Sequence, residues 1–162
     1  MTLSELQFTF PDATLETWHQ HSNGGGWVEN TATVDDTAFV GPDAVVSGDA
    51  RVSGEAMVYH NAGISGNARV SGDALVSGDT LVYGNARVSG NASVCGYARV
   101  CGDAKVSGIA RVYDDAQISG DAVVYGNARV AGNASVYGDA RVAGNAWVSG
   151  NDLVSGNDVV LW

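Results

Sequence analysis

The chain predicts an all-β solenoid, a winding of short strands stacked coil on coil, and three observations lead there. Stepping by six residues from Val28 to Val160, all 23 positions are β-branched aliphatics, 21 Val with Ile64 and Ile118. Gly follows two residues after most of them, then Asn or Asp, then Ala, as in Val70-Ser71-Gly72-Asp73-Ala74-Leu75. The composition agrees, with 22 Gly against 2 Pro, 45 % apolar residues and 16 % charged residues in 162. That is apolar surface enough for one folded domain, and too little charge density for a disordered polyelectrolyte.

Two regions follow, an N-terminal cap segment over residues 1–26 and the repeat over residues 27–162. Leu6-Gln7-Phe8-Thr9-Phe10 alternates as a strand does, and Pro11 to Trp18 suits a short helical turn with Asp12 as its cap. Gly24-Gly25-Gly26 would be a hinge into the first repeat unit at Trp27-Val28. A solenoid needs covered ends, since terminal strands otherwise present unpaired backbone groups, and the cap segment is expected to cover one of them. At the other end Asp152 and Asp158 take the Ala position, where burial without a partner is costly, so that coil should be solvated or in contact with a partner. Leu161 and Trp162 would form a small apolar plug there.

Within each repeat unit the two-residue period of a strand puts Ala and Val on one face and the residues flanking Val on the other. Ala and Val are therefore core. The Gly-Asn and Gly-Asp pairs are corners, because these residues accept left-handed backbone at low cost. A strand this short cannot stand alone, so successive units must coil and stack at about 4.8 Å.

The pattern of an aliphatic with a small residue four positions on, as in Val70 and Ala74, Val88 and Ala92, or Val130 and Ala134, resembles that of the hexapeptide-repeat family. The resemblance covers residues 28–160 and implies a left-handed parallel β-helix of triangular section, with three units per coil and seven to eight coils. Such near-perfect repeats are similar to a subgroup found in bacteria and their phages without assigned activity, which implies a protein of the bacterial cytoplasm, host- or phage-encoded. The N-terminus lacks the basic start of a secretory signal, and no apolar stretch approaches a membrane span.

With 18 residues per coil, outward positions fall into rows. Thr33, Arg51, Arg69, Arg87, Lys105, Val123 and Arg141 form one, whose arginines could bridge corner acids or take phosphate. Phe39, Met57, Leu75, Ser93, Arg111, Arg129 and Trp147 form another, with Tyr59 beside its apolar start. Contiguous exposed apolar surface usually marks a contact. Here the expected occupant of Phe39, Met57, Tyr59 and Leu75 is the chain's own N-terminal segment or a second copy, in a dimer or trimer.

The family's acyltransferases, which use acyl-CoA, imply a catalytic His and loops extruded between coils. This repeat never breaks phase. His60, in place of a corner Gly, is the one weak candidate for a general base, and His19 and His21 lie in the cap segment. Neither a metal site nor a cofactor is expected from these positions. Cys95 and Cys101, one unit apart, should be free thiols on adjacent sides. Asp and Asn interchange at the corners, as turn geometry asks and as paired acid–base chemistry would not allow.

The net charge of −10 opposes unspecific binding to nucleic acid or anionic lipid. From Arg51 to Arg141 eight acids balance eight bases, whereas residues 1–50 hold eight acids and no Lys or Arg. The expectation is a non-catalytic interaction protein whose acidic N-terminal end, with Asp35, Asp36, Asp43 and Asp49, engages a basic or nucleic-acid-binding protein and inhibits it. An acyltransferase-like enzyme and a structural module of a larger assembly are the alternatives.

Overall fold

The structure, a computed structural model, describes residues 1–161. One helix, α1 (Leu3–Thr9), precedes a series of strands two or three residues long, of which the first two are β1 (Trp18–Gln20) and β2 (Trp27–Glu29). From β2 onward each repeat unit contributes one strand, and successive strands go to three different parallel sheets. The first sheet runs from β1 and β2 through Val45–Val46 to Leu153–Val154, the second from Thr33–Val34 to Val159–Leu161, and the third from Phe39–Val40 to Trp147–Val148. From β2 onward every neighbour in a sheet is 18 residues away, as in Arg69 beside Arg87 and Val76 beside Val94, so three units make one coil.

The inward positions are as the alternation requires. From Ala38 to Ala146 the Ala and the β-branched aliphatics are fully buried and form one continuous core. Thr80 replaces one Ala at no exposure, and its hydroxyl donates to the Ser77 carbonyl at 2.8 Å, so the buried oxygen is satisfied. The corners stack as closely as the strands. Gly72 has φ 72°, and a Cβ there would stand 3.0 Å from the Gly90 carbonyl oxygen one coil on. Glycine is thus required twice, by the left-handed backbone and by the approach of the next corner.

The cap segment differs from the expected strand and hinge. Leu3–Thr9 is helical, with Thr2 as N-cap and a capping box in which the Glu5 carboxylate accepts the Thr2 N–H at 2.6 Å while the Thr2 hydroxyl accepts the Glu5 N–H at 3.3 Å. Leu3, Leu6 and Phe10 share one helical side against Trp18, Trp27 and Val45, whereas Phe8, which strand alternation would place with them, is 89 % exposed. The following turn is capped by Thr14, whose hydroxyl accepts the Glu16 N–H at 3.3 Å, and Asp12 takes no such part. Gly24 and Gly25 close a hairpin in which Gln20 lies opposite Trp27, so the triple glycine is a tight turn pressed against Val40 and not a hinge.

This hairpin covers two of the three sheet edges at the N-terminal end. β1 pairs antiparallel with β2 on the first sheet. On the third, the Asn23 carbonyl accepts the Val40 N–H at 3.0 Å and the Gly26 N–H donates to the Val40 carbonyl at 2.9 Å. His21, buried over the coil, donates from Nε2 to the Ala38 carbonyl at 3.0 Å, replacing the backbone donor of an absent coil. The edge strand Thr33–Val34 of the second sheet pairs with Arg51–Val52 on one side and, among the described residues, with no strand on the other.

At the other end Asp152 and Asp158 are exposed and turn their carboxylates back to accept the Ser149 and Ser155 N–H groups at 3.3 and 3.2 Å. Leu161 is 56 % exposed and plugs nothing; Trp162 lies outside the described residues.

Candidate functional site

The acids of the N-terminal end sit on all three corners. Asp35 and Asp36 follow Val34 at the corner leading to the third sheet, Asp43 precedes the first sheet, and Asp49 precedes the second. Several are engaged by the fold itself. Asp35 accepts the Gly54 N–H at 3.1 Å, Glu29 accepts the Gly48 N–H at 2.7 Å, and Asp43 pairs with the Met1 ammonium at 2.7 Å. Asp36 and Asp49 are exposed; Asp36 follows the edge strand Thr33–Val34 after Asp35, and Asp49 lies one coil on, before its partner strand Arg51–Val52.

The apolar stripe lies on the third sheet, with Phe39, Met57 and Leu75 in register on successive strands. Tyr59 packs its ring on Phe39 with centroids 4.9 Å apart and directs its hydroxyl to the Met57 sulfur at 2.8 Å. The cap segment does not lie over this stripe. Its apolar side packs on the first sheet, at Trp27 and Val45, because Leu3, Leu6 and Phe10 meet the indoles of Trp18 and Trp27 there.

His60 is an exposed corner residue with φ 55°, in the column that glycine fills in most other coils, and its ring lies 6.3 Å from that of Tyr59. His19 donates from Nδ1 to Asn30 Oδ1 at 2.8 Å, within the hairpin. Cys95 and Cys101 are free and half-buried on the third and first sheets. Burial pushes the Cys95 thiol up, which leaves it a poor nucleophile. Tyr83 is raised by its hydrogen bond to Cys101 and then by burial.

The bases are where sequence reasoning fell short. All eight occupy one position, the residue before the inward aliphatic, and no acid ever stands there. The expected bridges to corner acids do not form: among the described residues the one ion pair within 4.0 Å joins Met1 and Asp43. The reason is geometric. The corner acids turn to their own columns, as Asp79 does in accepting from Asn61 at 2.9 Å and Asp103 in accepting from Asn85 at 3.0 Å. Arg51, Arg69, Arg87 and Lys105 therefore form an uninterrupted cationic row on the second sheet.

Five segments, residues 50–66, 62–78, 82–96, 116–132 and 134–150, match the family model described as the YdcK beta solenoid repeat. No curated protein and no solved structure matches the chain. Each matched segment spans two or more of the strands that turn from sheet to sheet, so the sequence match and the stacking describe the same unit. The chain is a parallel β-solenoid whose matched segments are similar to the YdcK beta solenoid repeat, consistent with a hexapeptide-repeat-like β-helix.

Proposed function

We propose that the protein is a non-catalytic binding scaffold whose acidic N-terminal end engages a basic segment of another protein, including one that otherwise holds nucleic acid. The observation that carries this reading is the segregation of charge, eight acids and no Lys or Arg in residues 1–50, beside the one sheet edge at that end that the hairpin leaves uncovered. An unpaired strand edge offers backbone donors and acceptors to an added strand, and Asp36 on the edge coil with Asp49 one coil on would select a basic one.

A lysine-rich peptide with alternating valines, followed by fluorescence anisotropy, tests the proposal. It should bind at low salt and weaken steeply as salt rises, since exposed charges are screened beyond about 8 Å at physiological ionic strength. Asp36→Lys with Asp49→Lys should abolish binding. Equal binding by wild type and the double variant would overturn the reading.

A further inference from the structure

The third sheet carries a second feature, at its C-terminal half and away from the acidic end. Arg111 and Arg129 stand in register on neighbouring strands, at a strand spacing of about 4.8 Å, and Trp147 follows next in the same row. Beside them runs the corner between the second and third sheets, which in these coils carries Asn91, Ile109, Asn127 and Asn145. Together they line a cleft of about 560 Å³. Like charges placed directly opposite one another destabilise a sheet, and here neither guanidinium has a carboxylate within 4.0 Å among the described residues. Asp114 and Asp115 lie at the opposite corner of the sheet, and Asp114 is engaged by the Gly132 N–H at 3.1 Å.

The absence of acids is specific to this corner stretch. In a chain with 18 acids and 8 bases, anions are repelled in general, so a place that accepts one must be depleted of carboxylates locally. The cleft lining contains two arginines and no acid. The remaining lining is not that of a simple ion site. Trp147 is 63 % exposed and Ile109 51 % exposed, which gives one aromatic plane and one aliphatic contact. Asn127 donates to the Asn145 carbonyl at 3.2 Å, so the Asn145 amide N–H groups and the Asn127 carbonyl remain for a ligand with both hydroxyl donors and acceptors.

We propose that this cleft binds an acidic carbohydrate, with the carboxylate or phosphate held between Arg111 and Arg129, a sugar ring laid on Trp147, and hydroxyls met by Asn127 and Asn145. Paired guanidiniums suit a planar or tetrahedral oxyanion, and the amides suit the vicinal hydroxyls of a pyranose. A bare oxyanion would use the arginines alone and leave the indole and amides idle. A single-stranded nucleic acid would want several stacking platforms along its track, and this lining offers one.

Glucose 6-phosphate, glucuronate, glucose and inorganic phosphate are the probes, read by calorimetry and by the Trp147 indole resonance of the full chain. Both acidic sugars, or one of them, should bind and shift that resonance; which one binds tells a phosphate source from a carboxylate source. Arg111→Ala and Arg129→Ala should each weaken binding about tenfold, while Arg51→Ala, an equally exposed arginine of the second sheet, should not. All these side chains are exposed, so folding is spared. Binding of neither acidic sugar at millimolar concentration, glucose binding as well as its phosphate, or inorganic phosphate binding as tightly as glucose 6-phosphate would each overturn the proposal. So would an oligothymidylate that binds more tightly through the same two arginines, which would assign the cleft to nucleic acid.

Discussion

His60 and Asp114 are the two non-glycine residues with positive φ among the described residues, at 55° and 59°, and both stand in the corner column between the third and first sheets. Left-handed backbone costs an ordinary residue about 1–2 kcal/mol, so His60→Gly should stabilise the protein by about 1 kcal/mol, seen as a higher urea midpoint at unchanged slope. Asp114→Gly should gain less, because it also removes the acceptor of the Gly132 N–H. The reverse change, Gly72→Ala, meets both the φ of 72° and the Gly90 carbonyl, and should destabilise by about 2 kcal/mol. If His60→Gly lost stability, the ring would have a partner that its place at the corner does not suggest. The six-residue pattern made these corners legible, since Gly-Asn and Gly-Asp betray left-handed backbone wherever they recur. The destination of the arginines was not legible, because a ladder fixes which residues are neighbours in a row but not whether a long side chain leaves the row for a corner.

The cap segment shows the limit of pattern at the level of elements. Residues 6–10 satisfy a period of two as well as they satisfy the spacing of a helix, and five residues cannot decide between them. The deciding signal was Thr2 followed three residues later by Glu5, which closes the capping box and fixes where the chain enters the helix. Hydrogen bonds from the Thr2 backbone, then from its hydroxyl, hold the Glu5 carboxyl below the usual carboxylate range. A depressed carboxyl contributes its stability above its unfolded pKa and loses it as the pH falls through the folded one. Docking of α1 should therefore hold through neutrality and weaken as the pH falls from the ordinary carboxylate range through the lowered pKa of Glu5, and Glu5→Ala should mimic that loss at neutral pH while changing little at low pH. Amide exchange of the helix, compared between the two proteins across that range, measures it. Leu6→Ala should free the helix at every pH, because Leu6 is its fully buried anchor. Equal acid sensitivity in wild type and Glu5→Ala would assign the effect to other groups.

For the whole molecule, the repeat made the strands, the corners and the Ala and Val core readable from the sequence, while the three units per coil, and with them the 18-residue register, came from the resemblance to the hexapeptide-repeat family. The orientation of the cap was not, since a helix can settle on any face that offers apolar surface, and the choice of the first sheet rests on Trp18, Trp27 and Val45 meeting it. Core and surface also obey different periods: inward side chains recur every six residues, outward neighbours every 18. Removing residues 99–104 would leave Ala98 followed by Lys105 and Val106, so every inward place would still receive its Ala or Val. Everything downstream would turn by one side of the prism, bringing Arg111 and Arg129 into line below Arg51, Arg69 and Arg87. Circular dichroism should show a folded protein, and cross-linking of engineered cysteines should report the new neighbours; an unfolded product would mean that the outer rows help to set the register. The shaft is in this sense a printing drum, on which the sequence of faces can be advanced one notch at a time while the axle stays the same.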